Sequence, residues 1–509
     1  MHSRCVALAL FFVLPLLYAP HAKAADEALL RVLLQNKLIS QAQYDAIIKA
    51  QDSTASKPLP AQDQGLLDVL LANNVITKEQ FAALQVKNAD DKTKKIQAGE
   101  AKVTLKDGLK FKSADSDFSA QVGTYFQFDS ALYGNQGKTD FSDGTELRRG
   151  RLSLSGTVMR DWDYKFEADF AGTTQGGTTN TVTVTDAFVR YNGFAPVSLT
   201  AGNFKVPYGL EEVSSAKYLT FMERGLPFAF TNLRLLGGMV GANGDNWTAA
   251  AGAFGDGITA QNGDDEGMTG AARVTFAPIL KPGQVLHLGI SGQVRGPADN
   301  STSPFKETLQ FRSKPESDII SDALTASTAL SKKVNGRMVF FGRSSGRLVD
   351  TGSIGGSVNY ADMGNFEAAG VYGPFSLQGE YMLVNVDRDV GGDLSFGGYY
   401  LYGSLFLTDD SRNYLGGKGT FDVIQPKRPF QLRGDGWGAW EVALRVSGID
   451  LNDKEIQGGD EEDLTAALNW YPNSFVRLSA NYVKVLGLNG GAHDGEDIDA
   501  FQTRVQVVY

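Results

Sequence analysis

Phe501-Gln-Thr-Arg-Val-Gln-Val-Val-Tyr509 ends the chain and decides how the rest is read. Phe501, Thr503, Val505, Val507 and Tyr509 fall on one face of a strand, and Gln502, Arg504 and Gln506 on the other. Successive side chains of a strand point to opposite faces, so one face meets an apolar medium and the other meets water. A terminal aromatic on the apolar face suits a strand that ends at a membrane edge. Half-buried strands of soluble sheets alternate too, so the other end of the chain is needed to weigh the reading.

That end reads as a secretory signal. Arg4 supplies a positive start, Val6 to Leu17 is apolar but broken by Pro15, and Ala22-Lys23-Ala24 offers small residues for cleavage before Ala25. Such a run is too short for a membrane-spanning helix. Cys5 is the single cysteine and lies inside residues 1–24, so the expected mature chain has neither a disulfide nor a thiol ligand. Losing Arg4 and Lys23 moves the formal net charge from −10 to −12. An acidic chain argues against nucleic-acid binding. It says little about a pore, whose selectivity follows the charges that line it.

Residues 25–100 read as a helical, coiled-coil-like repeat and a linker. Leu29-Leu30-Arg-Val-Leu33-Leu34 recurs as Leu66-Leu67-Asp-Val-Leu70-Leu71. Ser40-Gln-Ala-Gln43 and Thr77-Lys-Glu-Gln80 each follow as a helix capping box. The repeat fits a small bundle or a tether to another envelope component, and residues 88–100 are a charged linker.

Residues 101–509 read as the barrel, and from about Phe118 to Tyr509 the period is two. The spacing predicts about sixteen strands of nine to eleven residues, which makes an all-β fold: a 16-stranded antiparallel transmembrane barrel. Phe126 and Phe128 share a face, as do Leu152 and Leu154, Val442 and Leu444, Leu464 and Leu468, and Leu478 and Tyr482. With an even count and both barrel ends in the periplasm, Trp162, Trp247, Trp440, Trp470 and Tyr509 all fall at the periplasmic rim, as an aromatic girdle requires. Residues 408–436 then form a long periplasmic connection, which either folds inward or marks an error in the count between 295 and 362. A pair of soluble β-sandwiches, or an eight-stranded barrel with a soluble domain, is the alternative fold.

Several stretches resemble one family. Glu146-Leu-Arg-Arg-Gly-Arg-Leu-Ser-Leu-Ser-Gly156 is similar to the second-strand motif of the phosphate-selective porin O/P family. So are Gly202-Asn-Phe-Lys-Val-Pro-Tyr-Gly-Leu-Glu211, Lys217-Tyr-Leu-Thr-Phe-Met-Glu-Arg224, Tyr372-Gly-Pro-Phe-Ser-Leu-Gln-Gly-Glu-Tyr381 and Gly438-Ala-Trp-Glu-Val-Ala-Leu-Arg445. The resemblance implies a homotrimeric outer-membrane porin with a narrow basic channel for phosphate or related anions. It also implies inward-folded loops and a coiled-coil segment ahead of the barrel.

The residues are read for the solute independently. The parity that sends Leu152 and Leu154 to lipid sends Arg149 and Arg151 to the lumen, and leaves Arg148 to snorkel to the rim. The same test places Lys165, Arg190, Arg273, Arg295, Arg445, Arg477 and Arg504 inside. Arginine stays charged and grips phosphate oxygens two at a time. Asp129, Glu167, Asp169, Asp186, Glu367, Glu380 and Glu441 share that face, so any one of these arginines could instead be salt-bridged. Segment 205–236, with Pro207, Pro227 and several aromatics, is expected to constrict the pore, and brings Lys205, Lys217, Arg224 and Arg234. Segment 296–362 carries Lys306, Arg312, Lys314, Lys332, Lys333, Arg337, Arg343 and Arg347, as a second inward loop or a solvated one.

Other classes are weaker. The mature chain keeps His287 and His493, and neither sits in a recognisable Ser-His-Asp motif. No His/Cys cluster suggests zinc, and Asp264-Asp265-Glu266 and Asp460-Glu461-Glu462-Asp463 lack EF-hand spacing. The expectation is a passive channel without cofactor or catalysis. A general or cation-preferring porin, or a barrel-anchored envelope tether, is the alternative.

Overall fold

The computed structural model describes residue 41 and residues 102–509 except 106–107, 135–140, 142, 172–181, 232–233, 259–265, 299–307, 320–330, 335–336 and 341–345. The signal segment and the helical repeat expected over residues 1–100 lie outside the described residues, residue 41 apart. Sixteen antiparallel strands form one closed barrel. They are β1 Ser119–Gly134, β2 Gly144–Val158, β3 Trp162–Asp169, β4 Thr183–Phe194, β5 Val197–Lys205, β6 Arg234–Asn243, β7 Trp247–Phe254 and β8 Met268–Lys281. They continue as β9 Gln284–Gly296, β10 Val358–Tyr372, β11 Phe375–Arg388, β12 Leu394–Phe406, β13 Ala439–Asp453, β14 Ile456–Tyr471, β15 Val476–Asn489 and β16 Asp499–Val508. The C-terminal stretch closes the barrel: Val508 pairs with Tyr125 and Asp499 with Gly134, along β1. Closure leaves no open edge, as hydrocarbon demands of a spanning sheet. A short hairpin, Lys102–Thr104 with Leu109–Lys112, continues the β16 edge by pairing with Ser119 to Val122.

Burial is inverted relative to a soluble protein. Phe128, Leu154, Phe166, Val274, Ile290, Phe366, Leu401 and Leu444 stand exposed around the outside. Gln127, Asn365, Gln378, Ser447, Asn469, Asn481 and Gln502 are buried within. In water so large an apolar belt would drive aggregation; around a barrel it is the lipid-facing band. One end carries the barrel termini and tight turns, such as Lys281 to Gln284 and Tyr372 to Phe375. Trp162, Trp247, Trp440, Trp470 and Tyr509 all lie at this end, which is called the terminal end below. Short turns mark the periplasmic side of such barrels.

Three long connections fold inward. Residues 206–233, between β5 and β6, hold a turn of helix, Leu210–Val213, and a 3-10 turn, Leu226–Phe230. Residues 407–438, between β12 and β13, enter from the terminal end and form a miniature hairpin, Asn413–Leu415 with Thr420–Asp422. The awkward connection is therefore an inward fold, and the strand count stands. Residues 309–319 and 346–357 close over the far end, where Phe311, Leu348, Val349 and Ile354 join Tyr133, Phe141 and Val384 in an apolar cluster. Part of the 296–362 segment is thus inward-folded, with Lys314 paired to Asp318 at 3.2 Å. The side chains of Lys306, Lys332, Lys333, Arg337 and Arg343 lie outside the described residues.

Candidate functional site

The 206–233 loop crosses the lumen because the barrel wall supplies partners for its backbone. At its start, the Glu380 carboxylate of β11 accepts from Leu210 N and Glu211 N, both at 2.8 Å. Gly209 turns the chain there at φ 71°, a left-handed conformation that glycine adopts without strain. Further on, strands β13 to β16 grip a run of carbonyls. Arg445 donates to Glu223 O at 3.0 and 3.1 Å, and Asn469 to Thr220 O at 2.9 Å. Arg477 donates to Thr220 O at 2.6 Å and to Leu219 O, and Arg504 donates to Met222 O. Together these contacts satisfy loop carbonyls that would otherwise lie in the lumen wall without a donor. Arg504 also pairs with Asp129 and Glu223, and Arg445 with Glu316.

Because the loop is fastened to that wall, open space remains along β1 to β6. A cavity of about 540 Å³ lies there. Its lining includes Arg148, Arg149, Arg151, Lys165, Arg190, Lys205, Lys217, Arg224, Arg234 and Lys418, against two carboxylates, Glu167 and Asp186. Tyr125, Tyr218, Phe188 and Phe204 complete much of the wall.

The charges divide into paired and unpaired. Arg151 bonds Asp169 at 2.7 Å and Glu167 at 3.1 Å. Lys165 and Arg234 share Asp186 at 2.5 and 2.6 Å. Lys205 donates to the carbonyls of Glu212 and Ser214, 2.6 Å each, which fastens the loop to its own strand. Arg224 stands 3.6 Å from Glu212. Arg149 donates to Gln127 and lies 3.6 Å from Glu223. Burial alone would raise the Glu223 carboxyl, but Arg148, Arg149 and Arg504 together hold it well below the usual carboxylate range. Among the described residues, Arg190, Lys217 and Lys418 have no carboxylate within ion-pair distance. Lys217 sits over the ring of Tyr125 at 5.3 Å and near that of Tyr218 at 5.7 Å.

Of the residues singled out in the sequence, the cavity gathers Arg149, Arg151, Lys165, Arg190, Lys205, Lys217, Arg224 and Arg234. It does not gather Arg273, Arg445 or Arg477. Arg445 and Arg477 are the loop clamps, and Arg273 bonds Glu367 and the Gly419 carbonyl of the 407–438 insert. Arg295 lines a separate 210 Å³ pocket at the far end with Asp256 and Thr269.

Two lining residues were not expected. Arg148 does not snorkel to the rim. A β-bulge places Gln127 opposite Arg149 and Phe128 opposite Leu147, so Arg148 is the extra residue and joins Arg149 inside. The signal was in the sequence: Leu147 and Leu152 both face out, and an odd spacing cannot hold one face without a bulge. Lys418 arrives on the 407–438 insert, and no period in the sequence announces it.

The histidines sit in packing roles. His287 Nδ1 is 2.6 Å from Tyr414 Oη and Nε2 is 3.1 Å from Glu367, which ties the insert to the wall. His493 stands 3.3 Å from Glu496. Among the described residues no group of three His, Cys, Asp or Glu side chains is placed to hold a metal.

A closed barrel with an apolar belt and a polar lumen narrowed by a crossing loop defines an outer-membrane porin. The model of the phosphate-selective porin O and P family matches residues 120–509, and the chain belongs to that family. It is 28% identical to Porin O of Pseudomonas aeruginosa over 432 residues, 80% of this chain and 92% of that protein. An uncharacterized protein of Caulobacter vibrioides is 27% identical over 475 residues, 91% of this chain and 84% of that one. Among solved structures, an anion-selective porin from Comamonas acidovorans aligns with TM-score 0.47 at 14% identity, over 77% of this chain and 100% of that chain.

Proposed function

We propose that this porin passes small anions, phosphate and polyphosphate first, through the cavity between β1–β6 and the crossing loop. The observation that carries this reading is its charge: ten basic side chains and two acidic ones line one space of about 540 Å³. The seven inward acids named in the sequence lie elsewhere or are occupied, Asp169 by Arg151 at 2.7 Å. Asp129 holds Arg504, Glu367 holds Arg273, Glu380 caps the loop, Glu441 accepts from Asn469 and Tyr471, and Glu167 and Asp186 each face two or more cations. A cation path would need such acids unpaired along the opening. The tethered arginines, with Arg190, Lys217 and Lys418, which have no ion-pair partner among the described residues, would give an anion successive weak positions, which conduction requires. The described groups offer charge and hydrogen bonds rather than a reaction, so the reading is passive passage without cofactor. The family resemblance supports a homotrimer, which native mass measurement of the detergent-purified protein checks.

The test is the reversal potential in a planar bilayer under a salt gradient, with phosphate then added. An anion-side potential and block of chloride current by phosphate support the reading. Arg149→Gln should weaken that block about tenfold, the loss expected for one charge-assisted hydrogen bond. A cation-side potential without block would overturn it.

A further inference from the structure

The 407–438 insert does more than enter the lumen. After Pro426 it turns back out and forms an exposed hairpin, Lys427 to Gly438, over the terminal rim. The hairpin is closed by Gln431 N to Gly436 O at 3.0 Å and Gly438 N to Arg428 O at 3.0 Å, and is fixed to the barrel by Phe430 N to Pro472 O at 2.7 Å. It lies on the outer side of the wall. Trp440 and Trp470, on the lipid-facing sides of β13 and β14, stack with centroids 5.4 Å apart, and Phe430 packs edge-on against Trp470 at 5.3 Å. Trp470 Nε1 donates to Trp437 O at 2.9 Å.

The exposed side chains of this hairpin are of two kinds. Leu432 is 88% exposed, Trp437 73% and Phe430 43%. Lys427, Arg428 and Arg433 stand beside them against a single acid, Asp435, in a chain whose formal net charge is −10. Lys427 is drawn to Asp409 at 3.2 Å. Arg428 and Arg433 have no ion-pair partner among the described residues. Aromatic and aliphatic side chains continuous with a tryptophan girdle belong at the boundary between headgroups and acyl chains. Guanidinium groups at the same depth meet lipid phosphates, which they bind with two parallel hydrogen bonds.

We propose that the 427–438 hairpin is a membrane-surface anchor that binds an anionic phospholipid of the leaflet at the terminal end. Leu432 and Trp437 insert among the acyl chains, while Arg428 and Arg433 hold the headgroup phosphate. Two observations select a lipid: the hairpin is continuous with the lipid-facing Trp440–Trp470 pair, and its charge is opposite to that of the lipid. Because Arg412, Tyr414 and Gly419 of the same insert are packed in the lumen, a lipid held here would also steady the segment that delivers Lys418 to the cavity.

The full-length protein, reconstituted in vesicles, tests this through tryptophan quenching. Brominated phosphatidylglycerol and brominated phosphatidylcholine are compared, and Trp437→Phe isolates the signal of that residue. Trp437 should be quenched by both lipids, and on the order of tenfold more efficiently by the anionic one. Arg428→Gln with Arg433→Gln should remove the preference, on the order of tenfold for two charges, while Trp437 stays quenched and the barrel still migrates as folded. Three results would overturn the proposal: no quenching of Trp437, equal quenching by the two lipids in the unaltered protein, or loss of the preference on adding inorganic phosphate, which would make the hairpin a collector of solute rather than a lipid anchor.

Discussion

Lys217 is a cation of the proposed channel whose charge depends on its surroundings. It sits on the crossing loop, faces Tyr125 and Tyr218, and has no carboxylate in ion-pair reach among the described residues. Burial draws its ammonium below the ordinary lysine value, and the positive charges of Lys165 and Arg151 add to this against the pull of Glu167. A lysine with a lowered pKa carries its charge below that pKa and loses it early as pH rises. Anion preference, read as reversal potential, should therefore decline from neutral to alkaline pH before free lysines titrate. Lys217→Met should start from a smaller preference and show a flatter alkaline limb. Much of this site was legible one residue at a time. Parity alone placed Arg149, Arg151, Lys165 and Arg190 in the lumen. It misplaced Arg148, because a bulge moves one residue across the wall, and the even-period rule fails there.

Among elements, the crossing loop divides the work of the lumen arginines. Identical by parity, Arg149 lines the cavity and Arg477 holds carbonyls. Which one does which depends on where the loop lies, and no spacing in β2 or β15 encodes that. Arg477→Ala leaves Thr220 O with Asn469 alone and Leu219 O without its donor, at a cost of about 1–3 kcal/mol per unsatisfied group. The loop should loosen while the barrel persists. Single-channel conductance should rise and anion preference fall, and limited proteolysis should cut within 206–233. Gly209→Ala probes the other end of the loop. It would force a side chain into φ 71° with its Cβ 3.0 Å from the Glu380 carboxylate, so a similar gain in conductance is expected. The 407–438 insert follows the same logic. The sequence marked it as anomalous in length, and contacts through Tyr414, Arg273 and Gly419 show where it goes.

At the scale of the whole molecule the lipid-facing belt dominates stability. Leu401, midway along β12 and exposed, should tolerate another apolar side chain. Leu401→Arg should cost about 2–4 kcal/mol, the range for a charge at the bilayer midplane, measured by urea titration of folding into vesicles. An equally long Arg445 is stable inside because carbonyls and carboxylates surround it. Fold class, strand number and strand direction were set by the sequence itself, because period-two alternation and the positions of tryptophans are local and survive without knowledge of any contact; the sign of the lumen wall was left open, since basic and acidic residues share its parity. The division of basic residues between cavity and clamp, the inward path of three connections, and the arrival of Lys418 and Arg148 at the cavity were decided by tertiary structure. They rest on hydrogen bonds between residues hundreds of positions apart, such as Arg445 with Glu223 and Arg504 with Asp129, and on one extra residue in one strand. The long-range bonds leave no period in the chain, and the extra residue leaves only the odd spacing of Leu147 and Leu152.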